Sequence, residues 1–182
     1  MESISLPGKN SQMKRDVLTL FLWRVYTVIM LSNQAPKTVS RIPKGKTIAV
    51  ICSSYHQDIV RIMEDDAKKM LHELGASNIL TLSVPGAFEL PLACLDLIRR
   101  KKVHGIVALG IIVQGETHHA SEIARACTDG LMQVQLSTQI PIAHEVLYVN
   151  SVKVARERAG GEHGKGKEAA ETLAHMISIM NT

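Results

Sequence analysis

Residues 47–53 read TIAVICS, a run in which polar and apolar positions do not alternate. A strand with one wet face alternates and a strand covered on both faces does not, so this run predicts a central strand of a parallel sheet. The next segment sets the fold class. Across residues 58–74 the apolar side chains Ile59, Ile62, Met63, Ala67, Met70, Leu71 and Leu74 recur at helical spacing, and Gly75 stands where a C-terminal cap belongs. Each large side chain buried by such a stripe contributes ~1.5–3 kcal/mol, enough to fix the helix against a sheet. A buried strand and then an amphipathic helix make the repeating unit of a parallel α/β layer.

Outward from this unit the same alternation continues. Residues 78–84 read as a second strand ending at Pro85-Gly86, and residues 87–102 as a helix whose Pro91 is close enough to the first turn to be tolerated. A third strand covers 104–110, a polar, glycine-containing loop 111–117, and a long helix 118–137. Residues 141–149 form the fourth strand. Asn150 or Ser151 caps a short helix through Ala159, the glycine-rich 160–166 breaks it, and 167–180 form the last helix.

Length and composition agree with one domain. The chain has 182 residues, 46% hydrophobic and 21% charged, enough for one substantial core. A net charge of +4, with basic and acidic residues interspersed, argues for small anionic ligands and against nucleic acid. Cys52, Cys94 and Cys127 are odd in number and sit in apolar or helical contexts, so they predict neither disulfides nor a metal knuckle. They read as small core residues in a reducing compartment, which points to the cytoplasm.

The first forty residues are set apart. Lys14 and Arg15 precede an apolar run over 17–31, but that run is shorter than the ~20 residues a membrane span needs. Arg24 lies centrally in it, at a cost of about 2.5–3.5 kcal/mol on insertion scales. The run leads into no clean small-residue cleavage site. The expectation is an N-terminal extension over 1–40, disordered or the product of an over-long gene start with initiation at Met13 or Met30, and one domain over 41–182. No membrane partner is expected.

In parallel sheets ligands bind at the carboxyl ends of the strands, where loop amides and helix N-termini converge. Four segments qualify: 53–57, 85–89, 111–119, and the stretch from His144 through the turn at 160–168. The loop Gly110-Ile-Ile-Val-Gln-Gly115-Glu-Thr117 opens a helix and could cradle a phosphate, or its glycines could serve the turn alone. Arg158 and Lys165 are cations suited to phosphate, or solvated surface charges. His118 and His119 stand at a helix mouth, as an acid–base pair of candidates or as simple capping residues. Tyr55 and Phe88 fall at strand ends in a chain with few aromatics, placed for stacking on a flat heterocycle or for core packing. Glu89 either bonds ligand hydroxyls or favours a helix dipole. No histidine spacing demands a metal.

Taken in order, Pro85-Gly-Ala-Phe-Glu89 with Leu90-Pro91, Leu109-Gly110, Gly115-Glu-Thr-His-His119 and Glu157-Arg-Ala-Gly160 strongly resemble the motifs of lumazine synthases. The similarity runs from about Lys46 to Ile179. It implies a three-layer α/β/α, flavodoxin-like subunit with a four-stranded parallel sheet in the order 2-1-3-4. It also implies homo-pentamers, in some members sixty-subunit icosahedral shells, with sites between neighbouring subunits and riboflavin synthase as a candidate partner. The implied reaction condenses 5-amino-6-(D-ribitylamino)uracil with 3,4-dihydroxy-2-butanone 4-phosphate to 6,7-dimethyl-8-ribityllumazine, without cofactor or metal. Alternatives with the same subunit fold are an archaeal-type riboflavin synthase and a non-catalytic flavin-binding shell protein.

By position, the resemblance assigns Tyr55 to stacking on the pyrimidine, Ala87, Phe88 and Glu89 to the ribityl chain, and Ile112 and Val113 to the pyrimidine edge. Gly115, Glu116 and Thr117 match the phosphate loop, Arg158 its cationic partner, and His119 the proton-transfer histidine. Lys165 and Glu168 match the late basic and acidic site residues after a one-residue gap. Two departures stand out: Gln114 replaces a common basic residue, and His144 replaces a phenylalanine that in many members reaches into the adjacent subunit's site. Imine formation, phosphate loss and ring closure need no covalent enzyme nucleophile, in keeping with three cysteines in bland settings.

Overall fold

The structure, a computed structural model, describes residues 40–161 and 163–180. The expectations for residues 1–39, an extension with a start at Met13 or Met30, lie outside the described residues. Four strands, β1 (Thr47–Ser53), β2 (Asn78–Val84), β3 (Gly105–Val113) and β4 (Ile142–Val149), form one parallel sheet in the order β2-β1-β3-β4. The non-alternating TIAVICS run is buried from Ile48 to Ser53 because both faces of the sheet are covered.

Helices α1 (Gln57–Glu73), α4 (Val152–Ala159) and α5 (Lys165–Met180) cover one face, where Ile59, Met63, Ala155 and Leu173 meet Val50 and Leu109. Helices α2 (Leu90–Arg100) and α3 (His119–Thr138) cover the other, where Leu90, Cys94 and Leu131 meet Ile51 and Ala108. The result is the expected three-layer α/β/α, flavodoxin-like arrangement. Among the described residues no helix is long and apolar enough to cross a membrane.

Two predicted end signals hold in detail. Gly75 takes φ 101, and the N–H groups of Gly75 and Ala76 donate to His72 and Leu71 carbonyls at 3.0 and 2.9 Å, the paired bonds of a Schellman cap. Ser151 is the N-cap of α4, its hydroxyl accepting from the Val154 N–H at 3.3 Å.

Besides one-residue shifts, three boundaries differ from the sequence-based expectation. β3 does not stop at Gly110: Ile111, Ile112 and Val113 pair with Leu147, Tyr148 and Val149, because β4 is long enough to carry the ladder onward. The segment predicted as helix over 87–102 divides into a 3-10 turn at Ala87–Glu89 and α2, since Pro91 near the helix start has no N–H to continue the ladder backward. Helix α5 begins at Lys165, two residues earlier than predicted, and so includes Gly166. That glycine serves helix contact and not helix termination.

All three cysteines are buried and free. Burial pushes the Cys52 and Cys94 thiols up to about 12 and Cys127 to about 11. Only a thiolate attacks a disulfide reagent. The folded protein at pH 8 is therefore expected to resist an aromatic disulfide reagent until denaturant is added, and then to release three equivalents of chromophore. Rapid release before unfolding would contradict this burial.

Candidate active site

At the carboxyl end of β1 the chain is held to β2. The Ser54 N–H donates to the Val84 carbonyl at 2.9 Å, and the Ser54 hydroxyl donates to the same oxygen at 3.0 Å. Tyr55 comes next, 66% exposed, with its ring beside Gly86. A Cβ on Gly86 would lie 3.7 Å from Tyr55 Cδ2 and 2.9 Å from Glu89 Oε2. Gly86 is extended (φ −146), so its contribution is room for the ring and the carboxylate to close over the backbone. Ala87 is buried in the 3-10 turn, while Phe88 is 60% exposed and Glu89 lies on the surface. Exposures of this size remove the core-packing reading of both aromatics.

The end of β3 forms the next wall. Ile112 is buried and Val113 half-buried, and the Gln114 N–H donates to the Val149 carbonyl at 2.8 Å, so the open loop starts after Val113. Gly115, Glu116 and Thr117 are exposed. Gly115 has no positive φ, and a Cβ there would meet nothing within 4 Å. Neither conformation nor crowding accounts for this glycine, which leaves the backbone accessible to a ligand. Helix α3 then begins at exposed His119, with His118 as N-cap and no side-chain cap bond, so the N-cap side chain leaves the first-turn N–H groups to other partners.

A second group of residues lies around Glu145 of β4. Arg158 is in the last turn of α4, and Lys165 and Glu168 form an ion pair in the first turn of α5. Between them lies Glu145, half-buried on β4. Burial pushes the Glu145 carboxyl up, Lys165 pulls it back, Glu168 adds to the rise and Arg158 opposes it. Sequence reasoning does not single out Glu145. A signal for it exists all the same: a lone carboxylate at an inward position of an otherwise largely apolar strand.

His144 points to the opposite face, where its Nε2 is 3.1 Å from the Thr128 hydroxyl on α3 and burial pushes the imidazole down. Thr128 is nine residues along α3 from His119, roughly 13 Å along the helix axis. Arg158 belongs to the helical layer on the other side of the sheet from α3. One chain thus gathers Tyr55, Ala87, Phe88, Glu89, Gly115, Glu116, Thr117 and His119 at its carboxyl edge. Within that chain the sheet separates Arg158 from His119, and Lys165 and Glu168 stand with Glu145. Among the described residues no group of three His, Cys, Asp or Glu could hold a metal ion.

A doubly covered parallel sheet whose carboxyl edge carries exposed aromatics, an open glycine loop and a histidine at a helix mouth defines a flavodoxin-like protein that binds small molecules. The family model for 6,7-dimethyl-8-ribityllumazine synthase matches residues 45–181. Relatives bearing that name include a Thermus thermophilus protein, 37% identical over 80% of this chain and 96% of its own length. Another, from Buchnera aphidicola, is 38% identical over 80% of this chain and 93% of its own. A third, from Xanthomonas euvesicatoria, is 35% identical over 76% and 92%. The chain belongs to the 6,7-dimethyl-8-ribityllumazine synthase family.

Proposed function

We propose that this protein is a riboflavin-pathway transferase that condenses 5-amino-6-(D-ribitylamino)uracil with 3,4-dihydroxy-2-butanone 4-phosphate, giving 6,7-dimethyl-8-ribityllumazine, phosphate and water. Family membership gives the reaction. The observation that ties it to this chain is the grouping of Tyr55, Glu89, the 115–117 loop and His119 at one edge of the sheet.

In this reading Tyr55 stacks on the pyrimidine, with the Ile112 and Val113 backbone along its edge. Phe88 and Glu89 hold the ribityl chain, with the Ala87 backbone beside them. The amides of Gly115, Glu116 and Thr117 and the α3 N-terminus take the phosphate. The amine adds to the ketone and loses water as an imine, phosphate departs, and the ribityl-bearing amine closes the ring on the carbonyl so formed, with loss of a second water. His119 carries protons between these steps. Holding two substrates together supplies much of the rate.

The remaining residues come from a second copy. In this reading a neighbouring subunit presents His144, Arg158, Lys165 and Glu168 to the carboxyl-edge group, which is supported by the position of Arg158 and His144 on opposite faces of the sheet in one chain. A ring of identical subunits joined head to tail meets this requirement, and a homo-pentamer is the closed ring we propose, with further assembly into icosahedral shells and contact with riboflavin synthase as extensions. The setting is the cytoplasm, in keeping with three free thiols, and the domain is residues 41–182, with 1–40 as an extension.

Mixing purified protein with both substrates should produce the absorbance and fluorescence of the lumazine together with one equivalent of phosphate. Conversion of lumazine alone to riboflavin would favour the archaeal-type riboflavin synthase, and binding without turnover the flavin-binding shell. Arg158→Ala tests the phosphate partner. A hydrogen bond to a charged group is worth roughly 1.5–3 kcal/mol, so KM for the butanone phosphate should rise about ten- to a hundredfold. An unchanged KM would remove Arg158 from the site.

A further inference from the structure

Among the described residues only His56 and Gln139 adopt positive φ without being glycine. Gln139 is the left-handed residue that ends α3, an ordinary place for it. His56 is different. It is the N-cap of α1, a position that normally takes extended backbone, yet it has φ 53 and ψ 45, close to the ideal left-handed pair. Its imidazole caps no backbone N–H, so the usual reason for a polar residue here does not apply. The backbone itself is well used, since the His56 carbonyl accepts from the Ile59 and Val60 N–H groups at 2.9 and 3.0 Å and starts the helix.

The neighbours show the effect of this conformation. Ser54 is fixed to the end of β2 by its N–H and its hydroxyl, and α1 is fixed from Gln57 onward, so two residues must turn a strand into a helix. With the ends held, the handedness of residue 56 decides where residue 55 points. Tyr55 points across the Gly86 backbone, at van der Waals distance from where a Cβ would stand, with most of its surface open to solvent. A right-handed residue at 56 could join the same fixed ends only if the dihedral angles around residue 55 changed as well.

We propose that His56 is a positioning residue whose left-handed backbone aims the Tyr55 ring over Gly86 and so presents a stacking platform to the pyrimidine substrate. This rests on the reading of Tyr55 as the stacking ring. Histidine is among the side chains that tolerate the left-handed region, as are asparagine and glycine, whereas β-branched residues do not. Position 56 requires a permitted backbone, and the imidazole is dispensable.

The test compares His56→Gly, His56→Asn, His56→Ala and His56→Val with Tyr55→Ala in the full chain, measuring KM for each substrate separately and thermal melting for each variant. Glycine and asparagine should keep KM for the pyrimidine amine within about twofold of wild type, alanine should raise it, and valine should raise it roughly tenfold or more, towards the Tyr55→Ala value. KM for the butanone phosphate should stay the same throughout. If valine prevents folding, the alanine variant carries the comparison. Equal losses for glycine and valine would show that the imidazole itself matters and overturn the proposal. So would a wild-type KM in both alanine and valine variants while Tyr55→Ala is impaired. A wild-type KM in Tyr55→Ala would instead overturn the stacking reading, and the proposal with it.

Discussion

Replacing His119 with alanine is expected to lower kcat by about a hundred- to ten-thousandfold, the usual worth of a positioned acid–base group, while both Michaelis constants change little. The side chain is at the first residue of α3, exposed, beside the open 115–117 loop, where it can reach a reacting atom without being part of a packed wall. Its removal therefore takes away proton transfer and leaves binding surfaces in place. The location of Arg158 gives this experiment a second arm. If His119 and Arg158 serve one site from two subunits, each variant is impaired alone, but mixed assemblies contain interfaces with both groups intact. In a random one-to-one mixture about a quarter of the head-to-tail interfaces are restored, so activity should return to roughly that share. Mixtures no more active than their components would place both groups on the same subunit, or outside the site.

The fold is legible in the sequence because its signals are local. TIAVICS declares two covered faces, the stripe from Ile59 to Leu74 declares α1, and Gly75 and Ser151 mark helix ends by chemistry that needs no tertiary contact. The differences fall where a distant partner decides. β3 runs to Val113 because β4 is there to pair with it, which no window on residues 105–113 alone reveals. The candidate site is half legible for a similar reason. Loop position points to Tyr55, Phe88, Gly115 and His119, whose exposure comes from strand ends. Glu145 and the backbone of His56 escape, because the first acquires its meaning from Lys165, Glu168 and Arg158 on two helices, and the second from a dihedral angle. Motif position alone gives His144 its role, and the single chain leaves both His144 and Arg158 apart from His119.

Gly166 is the position where local and distant logic conflict most, and Gly166→Ala should destabilise the fold far more than its small size suggests. Judged as an isolated helix, alanine for glycine is favourable by about 1 kcal/mol. Judged in place, a Cβ on Gly166 would sit 1.9 Å from the Met63 carbonyl oxygen, inside α1. That oxygen is backbone of a buried helix, so no rotamer change relieves the overlap. The two helices must separate, opening space around Ala169, Ala170 and Leu173 at the centre of that layer. Overpacking of this kind commonly costs 1–3 kcal/mol, and backbone overlap belongs above that range, at about 4 kcal/mol, so a net loss of about 3 kcal/mol remains after the propensity gain. For a chain of this size that lowers the melting temperature by roughly 6–12 °C. Gly161→Ala is the control: Gly161 has φ +85 and open space around it, so only left-handed strain of about 1–2 kcal/mol applies. A Gly166→Ala variant that melts above Gly161→Ala would mean that α1 and α5 do not cross at Met63. The substitution also bears on chemistry, because Lys165 and Glu168 flank the contact on the helix that must move. Activity should therefore decline at temperatures where the sheet is still intact, with KM rising before the far-ultraviolet circular dichroism changes.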